Sequence, residues 1–180
     1  MPDLLLSTLS KVVLPALGIG ALLFAAKRRK MSLTEDIGFK VPKLVPALAF
    51  LLLWVVLIAV EELLSSAIGG ASPKPWPDYA LHIVLLRVLA IGVLGPIAEE
   101  IAFRGLLMSW LKGTRLAVYG AILVSSALWS VVHIQYAPIL MLLIFVDGVV
   151  LGAARHFSRS IYVPVAMHIA GNLFSIWQSL

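Results

Sequence analysis

Long runs of uncharged, apolar residues dominate this chain and limit the folds that are open to it. The run from Leu44 to Val60 contains no charged residue, and apolar residues make up 61% of the 180 positions against 13% that are charged. An average soluble domain carries about 25% charged residues, so a soluble core could not absorb this excess. Because a membrane-spanning helix needs about 20 apolar residues, the chain is predicted to be an all-α, polytopic integral membrane helix bundle.

The apolar runs predict six or seven transmembrane helices around a polar cavity, in a single domain without internal repeats. Their predicted bounds are Leu4 to Ala26, Leu44 to Val60, Tyr79 to Leu111, Leu116 to Tyr136, Pro138 to Ala154 and Ile161 to Leu180. Gly92, Gly95 and Pro96 interrupt the third run, so we expect a broken or tilted helix there, or two helices meeting near Pro96. Residues 1–30 are predicted to form an N-terminal membrane helix with a basic stop, and residues 31–180 the core.

Two segments between the apolar runs carry signals of their own. Ser32 to Glu35 has the pattern of a capping box, which predicts a short interfacial helix over Thr34 to Phe39. Ser65 to Asp78 contains three prolines, two glycines and Trp76. This composition predicts a loop in which the tryptophan anchors the chain at the membrane interface.

The basic residues lie in short loops between the apolar runs, so the net charge of +5 indicates membrane topology and no nucleic-acid partner. These loops contain Lys27, Arg28, Arg29, Lys30, Lys40 and Lys43, then Lys112 and Arg115, then Arg155 and Arg159. A cleavable signal peptide carries its positive charge before the apolar stretch, so we expect the first helix to be retained. The positive-inside rule then predicts cytoplasmic basic loops and an outside N-terminus, in a prokaryotic plasma membrane.

Three pairs of polar side chains on three predicted helices are spaced for a common cavity. The pairs, each separated by four positions, are Glu100 and Arg104, Trp129 and His133, and His168 and Asn172. Residues at this spacing share a helix face, and none of these side chains can face lipid cheaply. Together with Glu99 they could hold a water molecule, deprotonate it and stabilise an oxyanion. Since the chain has no cysteine, thiolate catalysis and Cys-type zinc sites are excluded.

Each of these residues also has a structural interpretation. A Glu–Arg pair at this spacing is often a helix staple, and an intramembrane histidine is often a hydrogen bond between helices. We interpret His82 and His156 as structural, and we expect His156 in a loop. Glu61 and Glu62 are interpreted as an interfacial boundary, and the small residues Gly148 and Gly152 as a helix-packing pair. Asp147 lies in the middle of an apolar run and has no obvious partner.

The same residues resemble three sequence motifs of one family. The stretch from Glu99 to Arg104 resembles the EExxxR motif of the CAAX-protease and bacteriocin-processing (CPBP, or Abi) intramembrane proteases. Trp129 to His133 is similar to the second motif, FxxxH, with tryptophan in place of the usual phenylalanine, and His168 to Asn172 is similar to the third, HxxxN. The resemblance covers Ser32 to the C-terminus, and three motifs in this order are a specific signal.

The resemblance implies an intramembrane endopeptidase that hydrolyses a peptide bond of a membrane-associated protein or peptide. The resemblance implies that Glu99 is the general base and that His133 positions or activates the water. It further implies that His168 and Asn172 stabilise the oxyanion and that Arg104 balances the charge of Glu100. Counted at about 1.5 Å per residue from the basic loops, these residues are expected in the outer half of the membrane.

Two alternatives stay open at the level of the sequence. The family has also been regarded as metal-dependent, so a divalent ion such as zinc, held by Glu99, His133 and His168, is an alternative to the metal-independent mechanism that we favour. A non-catalytic membrane immunity factor or peptide-binding scaffold of the same fold is the competing function. A small transporter would show inverted repeats, and none is visible. No motif identifies the substrate or the oligomeric state.

Overall fold

The computed structural model describes residues 2–67, 76 and 79–180, and every regular element in this part of the chain is helical. The long helices are α1 (Pro2–Arg28), α2 (Leu44–Ala67), α3 (Leu81–Lys112), α4 (Ala117–Val131), α5 (Pro138–Ser158) and α6 (Tyr162–Ser179). Among the described residues, 4 helices, namely α1, α2, α3 and α5, are long and apolar enough to cross a membrane. The prediction of an all-α membrane helix bundle is confirmed.

The helix α3 runs without a break from Leu81 to Lys112 over 32 residues, so a break or a junction of two helices near Pro96 is wrong, and the tilt stays a prediction. Two π-helical segments, Val88–Leu94 and Ile101–Leu107, lie on either side of an ordinary helical turn, Gly95–Glu100. A proline inside a helix removes one backbone donor and crowds the preceding turn. A widened π turn before the proline accommodates both effects, and the helix continues through it.

The helix α4 ends at Val131, before the predicted bound of Tyr136. Two hydrogen bonds then define a turn. The N–H of His133 donates to the carbonyl of Ser130 at 3.0 Å, and the N–H of Tyr136 donates to the carbonyl of His133 at 3.0 Å. Pro138 begins the next helix, and a residue before proline avoids helical backbone angles. His133 therefore lies in a turn, and not on the helix face that the spacing predicted.

The helices α4 and α5 approach each other closely at two glycines. A Cβ atom at Gly148 would lie 2.9 Å from the Cβ of Ser126, and one at Gly152 would lie 3.0 Å from a methyl carbon of Ile122. Real Cβ atoms essentially never lie as close as the contact at Gly148, and the contact at Gly152 would require the Ile122 side chain to shift by a few tenths of an ångström. The packing role predicted for the two glycines is confirmed.

The predicted interfacial helix after α1 is a short π-helical turn, Leu33–Ile37. The Ser32 hydroxyl accepts from the N–H of Glu35 at 3.1 Å, as the capping box predicts, but the reciprocal acceptor is Asp36, whose carboxylate accepts from the N–H of Ser32 at 2.8 Å. Glu35 instead pairs with Lys40 at 2.5 Å, and the hydrogen bond from that lysine lowers the pKa of the Glu35 carboxyl.

The end of α5 differs from the predicted loop. Arg155 is buried in the last turns of this helix and donates to the backbone carbonyls of Ile37 at 3.1 Å and Asp36 at 2.9 Å. His156, expected in a loop, also lies in α5, where its ring packs against those of Tyr119 and Phe157. Arg155 thus links α5 to the π-helical turn Leu33–Ile37, since it donates to two carbonyls that have no backbone partner within that turn.

The segment predicted as the loop Ser65 to Asp78 lies partly outside the described residues, which omit 68–75, 77 and 78. Its first residues belong to α2, which continues through Ala67. Trp76 is buried, and the guanidinium of Arg87 lies 5.9 Å from the centre of its ring. Glu61, interpreted as an interfacial boundary, lies inside α2. One carboxyl oxygen of Glu61 and one of Asp147 are each buried without a hydrogen-bond partner among the described residues.

Candidate active site

The two carboxylates of the first motif lie in the ordinary turn between the two π-helical segments of α3. The side chain of Glu100 is 0% exposed, whereas that of Glu99 is 34% exposed. Arg104 lies in the second π-helical segment and is also fully buried. Short π-helical segments are rare and are frequently found at functional sites. Glu99 is thus the carboxylate that a substrate could reach.

Glu100 is bound on the inside of the bundle by two residues. Its Oε1 atom accepts from Nη1 of Arg104 at 2.8 Å and from Nδ1 of His168 at 3.0 Å. Arg104 also donates from Nη2 to the carbonyl of Gly148 at 3.3 Å. A buried charge is tolerated when it is paired and hydrogen-bonded. The contacts satisfy Oε1 of Glu100, whereas its Oε2 is buried without a hydrogen-bond partner among the described residues. The network joins α3, α5 and α6.

Glu99 has a different set of neighbours, and only one of them bonds to it directly. The indole Nε1 of Trp129 donates to its Oε2 atom at 2.6 Å. The Nε2 atom of His168 lies 4.0 Å from the same oxygen, which is too long for a hydrogen bond. His168 therefore stands between the two carboxylates, bonded to one and close to the other.

Trp129 is a buried residue of α4 that contacts three site residues besides Glu99. The guanidinium carbon of Arg104 lies 4.4 Å from the ring centroid, in cation–π geometry. The rings of His133 and His168 each pack edge-on against it, with centroids 5.2 Å away. The indole is therefore held between the arginine and two imidazoles.

His133 is oriented by the backbone of Trp129. Its Nδ1 atom lies 2.8 Å from the carbonyl oxygen of Trp129. Because a carbonyl can only accept, Nδ1 carries the proton in the neutral ring and Nε2 is left as the acceptor. The ring is half-buried and stacks on Tyr136.

Asn172 is held by a backbone carbonyl that Pro96 leaves without a helical partner. In the first π-helical segment, the N–H of Gly95 donates to Ala90, and Pro96 has no N–H to offer to Ile91. The Asn172 amide fills this position, because Nδ2 donates to the carbonyl of Ile91 at 2.9 Å. The proline and the asparagine thus form one structural unit that joins α3 to α6.

The structure brings together most, but not all, of the residues singled out in the sequence. Direct contacts join Glu99, Glu100, Arg104, Trp129 and His168, and His133 joins them through Trp129. Within the described part of the chain, Asn172 makes its side-chain hydrogen bond to Ile91 and none to the other candidates.

Sequence reasoning missed the donor on Trp129, which it treated only as an aromatic replacement. A buried tryptophan usually finds an acceptor for its N–H, and carboxylates were predicted nearby, so the signal was present.

The metal alternative can be tested against the positions of these side chains. Among residues 2–67, 76 and 79–180, no group of three or more His, Asp or Glu side chains converges as a metal site would require. Nε2 of His168 and Oε2 of Glu99 are 4.0 Å apart, and His133 has its Nδ1 atom on a backbone carbonyl. A metal-bound histidine commonly donates its second ring N–H to a carbonyl, so these positions are compatible with an ion and the metal alternative stays a prediction.

Residues 81–174 match the sequence model of the type II CAAX prenyl endopeptidase Rce1-like family. The match covers just over half of the chain and contains every candidate residue. The chain belongs to this family. The resemblance seen in the three motifs is thereby confirmed, and the Rce1-like family consists of CAAX-protease-type intramembrane endopeptidases.

A relative of this Rce1-like chain is an uncharacterized 24.3 kDa protein of Escherichia coli, which is 29% identical over 131 residues. The aligned part covers 72% of this chain and 59% of the relative, so the chain spans less than two thirds of that protein's length. No solved structure matches this chain.

Proposed function

We propose that this chain hydrolyses a peptide bond of a membrane-associated protein or peptide, with Glu99 as the general base. One observation carries the proposal. Of two adjacent intramembrane carboxylates, Glu100 is neutralised inside the bundle by Arg104 and His168, whereas Glu99 is 34% exposed and has no cationic partner within hydrogen-bonding distance among the described residues. An ionisable group at this depth is costly and is kept where it is used.

The proposed reaction begins with a water molecule that Glu99 and the acceptor Nε2 of His133 orient. Glu99 takes a proton as the water oxygen attacks the scissile carbonyl carbon, and a tetrahedral oxyanion forms. When the C–N bond breaks, the same proton passes to the leaving nitrogen, so the products are a carboxylic acid and an amine. These steps use only side chains of this chain.

The oxyanion is stabilised by donors on α6 in this proposal. Asn172 uses one N–H for the carbonyl of Ile91 and keeps a second N–H for the oxyanion. His168 donates from Nδ1 to Glu100, and when doubly protonated it also offers an N–H at Nε2 on the side of Glu99. Preorganised donors of this kind contribute more to the rate than any other single factor in many hydrolases.

The test is a comparison of membrane proteins from cells that contain the wild-type chain or the Glu99→Gln variant. Glutamine keeps the shape and accepts the Trp129 bond but cannot take a proton, so we expect turnover to fall by at least about 10²-fold. The measurement is mass spectrometry of new protein termini, followed by cleavage kinetics on the substrate found. Lipid-modified C-terminal peptides are the first candidates, since the family description names CAAX prenyl endopeptidases.

Glu62→Gln provides the matched control, because Glu62 is an exposed carboxylate of α2 that is bound to Gln178 and lies outside the site. We expect it to retain wild-type turnover. If Glu99→Gln produced the same termini at the same rate as the wild-type chain, Glu99 would not be the base and the proposal would be wrong.

A further inference from the structure

We infer that Trp129 is a positioning residue, which orients the Glu99 carboxylate through its indole N–H. The inference rests on the proposed role of Glu99 as general base. The usual phenylalanine of the family's second motif has no N–H, so this contact depends on the tryptophan that this chain carries.

The first line of support is the hydrogen bond itself. The Nε1 atom of Trp129 lies 2.6 Å from Oε2 of Glu99, at the short end of the range for a bond to an ionised acceptor. An indole nitrogen can only donate, so the direction of the bond is certain. The terminal torsion of a glutamate is soft and broadly populated. A single fixed donor therefore defines which carboxylate oxygen faces the tryptophan and which oxygen is left to accept the proton.

The second line of support is the rigidity of the donor. Trp129 is 4% exposed, the guanidinium of Arg104 lies over its ring, and the rings of His133 and His168 pack against it at 74° and 80°. These contacts leave the indole little freedom to rotate away from Glu99. The direction of the N–H is therefore set by residues of the same site, which couples the position of the base to the position of the imidazoles.

A comparison within the chain separates this role from ordinary packing. Trp54 is also a buried tryptophan and belongs to the same apolar cluster as Trp129. Its Nε1 atom has no hydrogen-bond partner among the described residues. Loss of the N–H at Trp54 therefore removes no bond among the described residues, whereas the same loss at Trp129 removes the one hydrogen bond that these residues make to Glu99.

The experiment replaces Trp129 by β-(3-benzothienyl)alanine through nonsense suppression, since this residue has the shape of tryptophan with sulfur in place of the N–H. Trp129→Phe is the second variant, and benzothienylalanine at Trp54 is the matched control. We expect both Trp129 variants to lower kcat by about 10- to 100-fold with KM unchanged, because a misplaced reacting group loses rate without losing substrate binding. The Trp54 control is expected to keep wild-type kcat.

The possible failures are distinguishable. Wild-type kcat with benzothienylalanine at position 129 would overturn the inference, as would an equal loss of kcat at position 54. If Glu99→Gln itself retained activity, the proposed function would fail first and this inference with it. If Glu99→Gln were inactive while the position 129 analogue had full kcat, only the positioning role would be lost.

Discussion

The two adjacent carboxylates of α3 have opposite surroundings, although they are neighbours in the chain. Glu100 receives hydrogen bonds from Arg104 and His168 and is fully buried, whereas Glu99 receives one hydrogen bond, from Trp129. The first arrangement links helices, and the second leaves a partly exposed acceptor. Sequence spacing alone could not separate these roles, because it defines the helix face and not the residues that the face meets.

Removal of Arg104 is expected to destabilise the fold before it affects any chemistry. Arg104→Met leaves the Glu100 carboxylate buried without its guanidinium, and breaking such a pair costs about 3–5 kcal/mol in the free energy of unfolding. The double variant Glu100→Gln, Arg104→Met removes both charges and should recover most of this loss. Unfolding by denaturant titration in micelles provides the measurement.

An exposed ion pair offers the control for this comparison. Lys40→Met breaks the surface pair with Glu35 and should change the free energy of unfolding little, since exposed pairs contribute little. A single Arg104→Met variant as stable as the wild-type chain would contradict the structural role assigned to the pair.

His133 is expected to matter for turnover and not for stability. Its ring is half-buried, and its one side-chain hydrogen bond in the described structure goes to the carbonyl of Trp129. His133→Ala should therefore keep the protein folded and inserted, while it lowers cleavage by at least about 10²-fold through loss of the acceptor that orients the water. Cleavage kinetics and size-exclusion profiles in detergent distinguish the two effects. His82→Ala, at an exposed position of α3, is the control; near wild-type turnover of His133→Ala would refute the role.

At the scale of elements, the conformation of the middle of α3 depends on the backbone N–H that Pro96 lacks. Pro96 withdraws an N–H, the preceding turn widens into a π-helical segment, and the Ile91 carbonyl accepts from Asn172 instead. Gly92, Gly95 and Pro96 predicted an irregularity in this helix. They did not predict its form, because the partner of the freed carbonyl lies on α6, far away in the sequence.

The Pro96→Ala variant tests whether the missing N–H of Pro96 determines the hydrogen bond between Asn172 and Ile91. The alanine N–H could donate to the carbonyl of Ile91 in the π-helical pattern and so displace the amide of Asn172 from that carbonyl. We expect kcat to fall by about tenfold or more, since Glu99 lies in the turn that follows and small displacements of reacting groups are costly. The control is Pro15→Ala, which removes a proline inside α1. Equal turnover in the Pro96→Ala and wild-type chains would mean that the proline does not set the site.

At the scale of the whole molecule, composition and periodicity predicted the helical membrane bundle and the residues from three helices that line its polar centre. Apolar runs are long-range signals that survive local irregularity, which is why α1, α2, α3 and α5 lie where the runs predicted them. Three features were not predictable, because each depends on a carbonyl that local geometry leaves unbonded. They are the placement of His133 in a turn, the hydrogen bond from Asn172 to Ile91 and the hydrogen bond from Arg155 to Asp36. The predicted orientation and the outer-half position of the site stay predictions.

The short length of α4 has a consequence for the lipid around the molecule. Its 15 residues span about 22 Å, whereas the hydrocarbon core of a bilayer is about 30 Å thick. A stretch this short produces hydrophobic mismatch, which a bilayer relieves by thinning near the shorter element. We expect headgroups and their hydration water to dip toward the turn that carries His133. A hydrolytic site inside a membrane must be supplied with water, and this local thinning shortens the path that the water has to travel.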